Sequence, residues 1–400
     1  MGGKRMKPLT GIRVLDFTQA HAGSFATMIL ADFGAEVIKI ERTGVGDLAR
    51  YWAPMRDGNS AYYAYLNRGK KSVGLNAAKP EGQEVIRRLL RSVDVVTENF
   101  KYGSMERMGF SYDVLRQEKP DIIYASLNGF GQTGPMKNAI GLDLQLQAMS
   151  GVMDLTGFPE GSPVKAGAAL GDQLSGTYMA LAILLALIHH QKTGEGQRAD
   201  IAILDALVSA LGPAAAISET AGTVCRQGNV SRLYAPSDTF ILADGELALS
   251  VRTDAQWKTL CGALGLAALG NDPRYETNEQ RLAAYESKLK ALLASALRNR
   301  NLRETELLLR QCRVPCSVVR SVREAMEISS LARRMLLTLR DPALGTLRMP
   351  GVAIRLDGTP GVPESAAPAL GEHTEYYLRQ CGYSTAEIET LIHDRIAQRA

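Results

Sequence analysis

The chain has 400 residues, 46% of them hydrophobic and 22% charged, enough to bury at least one large core and to form two domains. Forty-six Lys and Arg stand against 42 Asp and Glu, and a net charge of +4 is too mild to point to nucleic acid, although local basic positions can still hold phosphates. Five cysteines (Cys225, Cys261, Cys312, Cys316 and Cys381) are scattered with no CxxC pair, which argues for a reducing compartment and against a zinc site.

The opening MGGKRMKPLTG lacks the apolar segment of a signal peptide, and Met6 stands where a myristoylation signal prefers Ser or Thr. Ile12 to Phe17 reads as a first strand, followed by a loop from Thr18 to Gly23, an apolar helix through Phe33 and a second strand, Glu36 to Glu41. A strand, helix and strand in that order imply a right-handed parallel crossover. The alternation continues with a strand at Ser72 to Leu75, a helix from Pro80 to Ser92, and strands at Asp94 to Glu98 and Asp121 to Leu127. Asp143 to Gly151 reads as a helix, Val164 to Leu170 as a short buried strand, and Leu174 to Leu187 as a buried helix. The apolar run Tyr178 to Ile188 is too short to span a bilayer, so a soluble, cytoplasmic protein without nucleic-acid or membrane partners is expected. Arg198 to Leu204 supplies a late strand before a helix from Asp205.

These elements predict an α/β fold with a doubly wound, mostly parallel sheet, Rossmann-like, in a large domain that begins with residues 1–215. Beyond Pro213 the character changes: Asp244-Gly245 separates two apolar alternations, a strong hairpin signal, and helices are expected at 255–264, 279–298 and 302–311. A smaller α+β domain is therefore expected over 225–330. The segment 340–400 is rich in Pro and Gly up to Gly371, then helical at 374–381 and 385–394, and is expected to return to the large domain.

Asp172 is the residue of greatest chemical interest, because it falls between the short strand and the buried helix. There it meets unpaired backbone N–H groups and the positive end of the helix dipole, which suits either an N-cap or an exposed anion. An anionic Asp needs no partner base to attack an activated carbonyl such as a thioester. Gly167, Gly171 and Gly176 would let a substrate approach the backbone. Other chemistries find less support. The loop after the first strand, TQAHAGSFAT, has one glycine where a nicotinamide-binding fingerprint needs three, and neither GxxxxGK[ST] nor GxSxG occurs. His21 lies in that loop, at the carboxyl edge where ligands of such sheets bind, whereas His189 and His190 close an apolar helix and suit carbonyl capping. Arg42, Lys70, Lys71, Lys101 and Arg107 are placed in loops at the same edge, a set that would suit a polyphosphate ligand.

The blocks PLTGIRVLDFTQAHAGSFATMILADFGAEVIKIER, ENFKYGSMERMGF, GAALGDQLSG, TGEGQRADIAILDAL and LGEHTEYYLRQCGY occur in the order found in class III CoA-transferases, which the chain resembles over nearly its whole length. The resemblance implies a nucleophilic Asp172. It implies coenzyme A contacts at Arg42, at Leu75, Asn76, Ala77 and Ala78, at Asn99, Phe100 and Lys101, at Arg107, and at Gly141, Leu142 and Asp143; His21, from its place in the loop after the first strand, is expected at the acyl end. It further implies an interlocked homodimer, acyl-CoA and a small carboxylic acid as substrates, coenzyme A as the only cofactor, and neither metal nor NAD. Gly222 to Ser237 lacks the glycine run of the formyl-CoA branch. Two alternatives stand beside this reading, an α-methylacyl-CoA racemase of the same fold and a non-catalytic CoA-binding protein. Leu142 stands where the racemases carry a proton-transferring histidine, which disfavours the first.

Overall fold

The computed structural model describes residues 6–222, 224–328, 331 and 334–400. The chain divides into two compact units, one of residues 1–153, 165–222 and 333–400, the other of 154–164 and 223–332. The Gly2 position considered for acylation, and residues 329 and 330 of the expected small domain, lie outside the described residues.

The first unit is built on a seven-stranded sheet: β1 (Arg13–Asp16), β2 (Glu36–Glu41), β3 (Lys71–Leu75), β4 (Val95–Glu98), β5 (Ile123–Asn128), β6 (Arg198–Ala202) and the terminal strand Ala397–Gln398. Across the sheet the terminal strand comes first, then β3, β2, β1, β4, β5 and β6. All neighbours pair in parallel except the terminal strand, which runs antiparallel to β3. The order reverses between β1 and β4, and ligands of doubly wound sheets bind in the crevice such a reversal opens at the carboxyl ends.

Period-two alternation feeds both faces of the sheet. Val14, Val37 and Val95 join α1 (Ala22–Asp32) and the long helix that follows Ala169 in one core. Their neighbours Leu15, Ile38 and Val96 join α2 (Pro80–Leu90) and the C-terminal helices Thr374–Gln380 and Thr385–His393 in the other. The C-terminal segment thus completes the first unit.

Several expectations are corrected. Val164 to Ala169 forms no strand, and the buried helix is longer at both ends, with α3 (Asp143–Met149) preceding α4 (Leu170–Thr193). Its 24 residues are apolar enough to cross a membrane, contrary to the reading of a run too short to span. Met179, Ile183 and Leu187 nevertheless line up on a stripe buried against α1 and the sheet, the arrangement of a core helix. The helix expected over 279–298 is interrupted by a π turn at Tyr285–Leu289. In the Pro- and Gly-rich stretch an unexpected hairpin joins Leu336–Asp341 to Gly345–Pro350; its side chains are mostly half-exposed or exposed, so no apolar alternation marks it.

The second unit packs the hairpin Ser237–Leu242 and Gly245–Ser250, with a third strand at Cys316–Val318, against helices around Trp257 and Leu293. Arg281 is fully buried there beneath the Trp257 ring, paired with Asp254 at 2.8 Å.

Helices α1 and α4 meet at Gly176, where an added Cβ would lie 2.5 Å from the Ala22 carbonyl oxygen. Gly176→Ala is expected to force the helices apart and to lower unfolding free energy by about 1–3 kcal/mol in urea titrations.

Candidate active site

The loop leaving β1 is held on every side by buried polar groups. The Thr18 backbone N–H and hydroxyl both donate to Asp16 Oδ1, at 2.9 and 2.6 Å. Gln19 and Asn99 exchange two hydrogen bonds, the Gln19 N–H to Asn99 Oδ1 at 2.7 Å and Asn99 Nδ2 to the Gln19 carbonyl at 2.8 Å. Ala20 adopts a left-handed backbone conformation, φ 61°, and donates its N–H to Asp47 Oδ1 at 2.9 Å. Asp47 in turn forms a fully buried ion pair with Lys39 at 2.8 Å, and the Lys39 ammonium donates to the Thr18 carbonyl at 2.6 Å. These bonds fix where the next residue, His21, must stand.

His21 bridges two side chains. Its Nδ1 meets the Tyr62 hydroxyl, and its Nε2 lies 2.9 Å from the Gln173 amide nitrogen. Burial lowers the imidazole pKa, against an opposing pull from the Asp143 charge, so the ring is neutral at pH 7. The Gln173 NH₂ group is a donor only, which leaves Nε2 as the acceptor and puts the ring proton on Nδ1, pointing to the Tyr62 oxygen. The hydroxyl proton of Tyr62 is then free for another acceptor. Burial, with the Asp172 and Asp143 charges, pushes that phenol up to about 12, so it remains protonated.

Asp172 lies inside the first turn of α4, two residues beyond the first helical position, and is therefore not the N-cap; Ala169 occupies that place without a side-chain bond. The capping task belongs to Asp143. Its Oδ1 accepts the Gly171 N–H at 2.8 Å, and its Oδ2 accepts from Gln147 at 2.6 Å. Gln147 also accepts the Ala166 N–H at 2.9 Å, tying down the irregular approach to α4. Gly171 is required here, because a Cβ would come within 2.8 Å of both Asp143 and Ile203. Among the described residues no group donates a hydrogen bond to the Asp172 carboxylate. Burial, reinforced by the Asp143 charge, raises its pKa to about 6. At pH 7 the group is mostly an anion, more basic than an ordinary aspartate and unengaged.

Asp172 opens into a cavity of about 530 Å³ lined also by His21, Trp52, Lys101, Lys137 and Leu142, among others. Trp52 stands edge-on to Tyr62, ring centroids 5.2 Å apart. This cavity lies at the reversal between β1 and β4.

A sequence model described as CoA-transferase family III matches residues 9–374. Over 97% of both chains, the protein is 38% identical to the succinate–glutarate CoA-transferase of Agrobacterium fabrum. It is 34% identical to the succinyl-CoA–D-citramalate CoA-transferase of Chloroflexus aurantiacus over 92% of both chains. The chain belongs to CoA-transferase family III. As a member, the protein is a CoA-transferase, with acyl-CoA as substrate. A solved CAIB/BAIF family protein of Brucella suis superimposes with a TM-score of 0.86 and 32% identity, over 94% of this chain and 100% of that one.

Of the candidate site residues, the structure gathers His21, Asn99, Phe100, Lys101, Gly141, Leu142, Asp143 and Asp172 around this cavity. Arg42, Leu75, Asn76, Ala77, Ala78 and Arg107 do not line it. Arg42 is exposed; Leu75 is buried in the second core; Asn76 bonds its own turn through the Ala78 N–H; Arg107 reaches Ser104 at 2.9 Å. Lys70 is corrected outright as a phosphate ligand, being fully buried on Asp16, Asn67 and the Ser24 carbonyl.

Several residues of the site went unread in the sequence, among them Tyr62, Gln173, Trp52 and Lys137. A signal existed for Tyr62, since Ser60 precedes the helix Ala61–Asn67 and accepts the Tyr63 N–H as an N-cap. Which of the three tyrosines of that helix faces the site is set by packing alone.

Beneath the Asn99–Lys101 loop, the buried Glu98 carboxylate accepts the Phe100 N–H at 2.8 Å, and burial raises its pKa to about 7. Folding therefore takes up a proton between about pH 4.5 and 7, and stability falls as pH rises through that window. Glu98→Gln keeps an acceptor without the charge. It is expected to be more stable than the parent by about 2–3 kcal/mol at pH 8 and indistinguishable at pH 4.5, as read by urea unfolding at the two values.

Proposed function

We propose that the protein moves coenzyme A from an acyl-CoA to a free carboxylic acid, with Asp172 as the nucleophile. The observation that carries this reading is an ionised carboxylate facing a cavity with no hydrogen-bond donor of its own, while Asp143 does the capping that would otherwise explain an acid there.

The chemistry balances with this chain's residues and the two substrates. An Asp172 oxygen bonds to the thioester carbon and the carbon–sulfur bond breaks, giving a mixed anhydride and the CoA thiolate, a leaving group that needs no proton. The thiolate attacks the aspartyl carbonyl, releasing the donor acid and leaving an aspartyl-CoA thioester. The incoming carboxylate then displaces the thiolate, and the thiolate takes the new acyl group, regenerating Asp172. Each tetrahedral step places negative charge on a carbonyl oxygen. The Tyr62 hydroxyl proton, unclaimed by His21, is the donor suited to receive it. Most similar proteins above are named for four- and five-carbon dicarboxylates, which supports the same acid class here.

The reading extends to a homodimer in the cytoplasm. Tyr178, Leu181, Leu185 and Ile188 form an exposed apolar stripe along α4, a surface suited to burial against a second copy. The free thiol state of all five cysteines supports a reducing compartment. Sedimentation at micromolar concentration is expected to give twice the 43.3 kDa chain mass, and a monomer would remove the dimer from the proposal.

Asp172→Ala is expected to abolish exchange between acyl-CoA and carboxylate while CoA still binds, and mass spectrometry of the parent enzyme quenched during turnover should find CoA attached to the peptide bearing Asp172. Unchanged exchange in the variant would refute the nucleophile. Because the anion attacks, kcat/KM for acyl-CoA should fall about tenfold per unit below pH 6, and Asp143→Asn, which removes the like charge, should move that limb to lower pH.

A further inference from the structure

The fully buried cations Lys39, Arg68, Lys70 and Arg281 each face a carboxylate within ion-pair distance. Lys137 differs. It is half-buried in the wall of the cavity that holds Asp172, and among the described residues no carboxylate lies within ion-pair distance of it. Instead its ammonium group donates to the Tyr102 hydroxyl at 3.2 Å and lies 4.5 Å from that ring's centroid. A phenol and a ring face orient a cation and lower the entropy lost on engaging it, but they do not neutralise it. The site is therefore preorganised for an anion brought by the ligand.

The remaining charges of the cavity narrow the source of that anion. Asp143 and Asp172 are acidic, His21 is neutral, and Lys101 is exposed. A free carboxylate on the acyl group would be repelled by two carboxylates unless a cation within the cavity received it. Lysine is suited to acids of differing length, being a point charge on a flexible stem. Resting on the Asp172 reading, we propose that Lys137 is a specificity-determining residue that pairs with the far carboxylate of a short dicarboxylyl substrate.

The test compares succinyl-CoA with butyryl-CoA, which differ at the far end of the acyl chain and share the CoA moiety, using one common acceptor. The parent enzyme should prefer succinyl-CoA. Lys137→Met should lose about tenfold or more in kcat/KM for succinyl-CoA and change less than about twofold for butyryl-CoA, whereas Lys137→Arg should retain the preference. Equal losses on both thioesters, with weaker binding of free CoA, would overturn the proposal and assign Lys137 to a CoA phosphate; no loss on either would overturn it too. Parent turnover that vanishes in Asp172→Ala upholds the transferase reading whatever Lys137 does, so the two failures are separable.

Discussion

The site depends on one buried ion pair. Lys39 and Asp47, both without solvent exposure, grip the loop after β1 from two sides, the ammonium on the Thr18 carbonyl and the carboxylate on the Ala20 N–H. Burying two charges gains little net stability, since desolvation offsets their attraction, while removing either partner alone costs about 3–5 kcal/mol. The benefit of such a pair is geometric. It holds an alanine at φ 61°, a conformation that disfavours side chains by about 1–2 kcal/mol, and so sets the position of His21 one residue on.

A second division of labour leaves the Asp172 carboxylate free. Helix N-termini attract acids, and an aspartate in the first turn of α4 would ordinarily be occupied by backbone N–H groups. Here a different helix supplies Asp143 to satisfy the Gly171 N–H, and Gly171 has no Cβ to block it. Asp172 is left with the basicity that burial and a nearby like charge confer, and without the bonds that would stabilise its anion. Both effects suit the proposed attack on carbon, since a better-solvated carboxylate is a poorer nucleophile.

The parallel sheet was legible because its strands are apolar runs separated by helices with clear ends: β2 was read with its true limits, and the other strands of that set to within two residues. The short strand before Asp172 was misread. Lys165 to Ala169 has the small, apolar composition of a strand, but its Ala166 N–H is taken by the Gln147 side chain, a partner that no local pattern announces. The site was legible where place in the chain alone marks a residue, as for Asp172 and His21, which line one cavity. It was not where geometry arises from distant segments meeting: Tyr62 reaches His21 across 41 positions, and Gln173 across 152. Lys70 shows the opposite error, a basic residue in a loop that folding consumes as a buried counter-ion to Asp16.

The neutrality of His21 follows from the same economy. A protonated imidazole in the cavity that holds Asp172 would favour the carboxylate's anion and draw its pKa down, which would make the proposed nucleophile less basic. Burial keeps the ring uncharged, and the Gln173 donor then dictates which nitrogen holds the proton. With that proton directed at the Tyr62 oxygen, the phenol must turn its own hydrogen elsewhere. The histidine need not exchange a proton with any substrate to matter. It converts a fixed loop into a fixed hydroxyl orientation, a role that uses imidazole as a rigid two-ended hydrogen-bonding group.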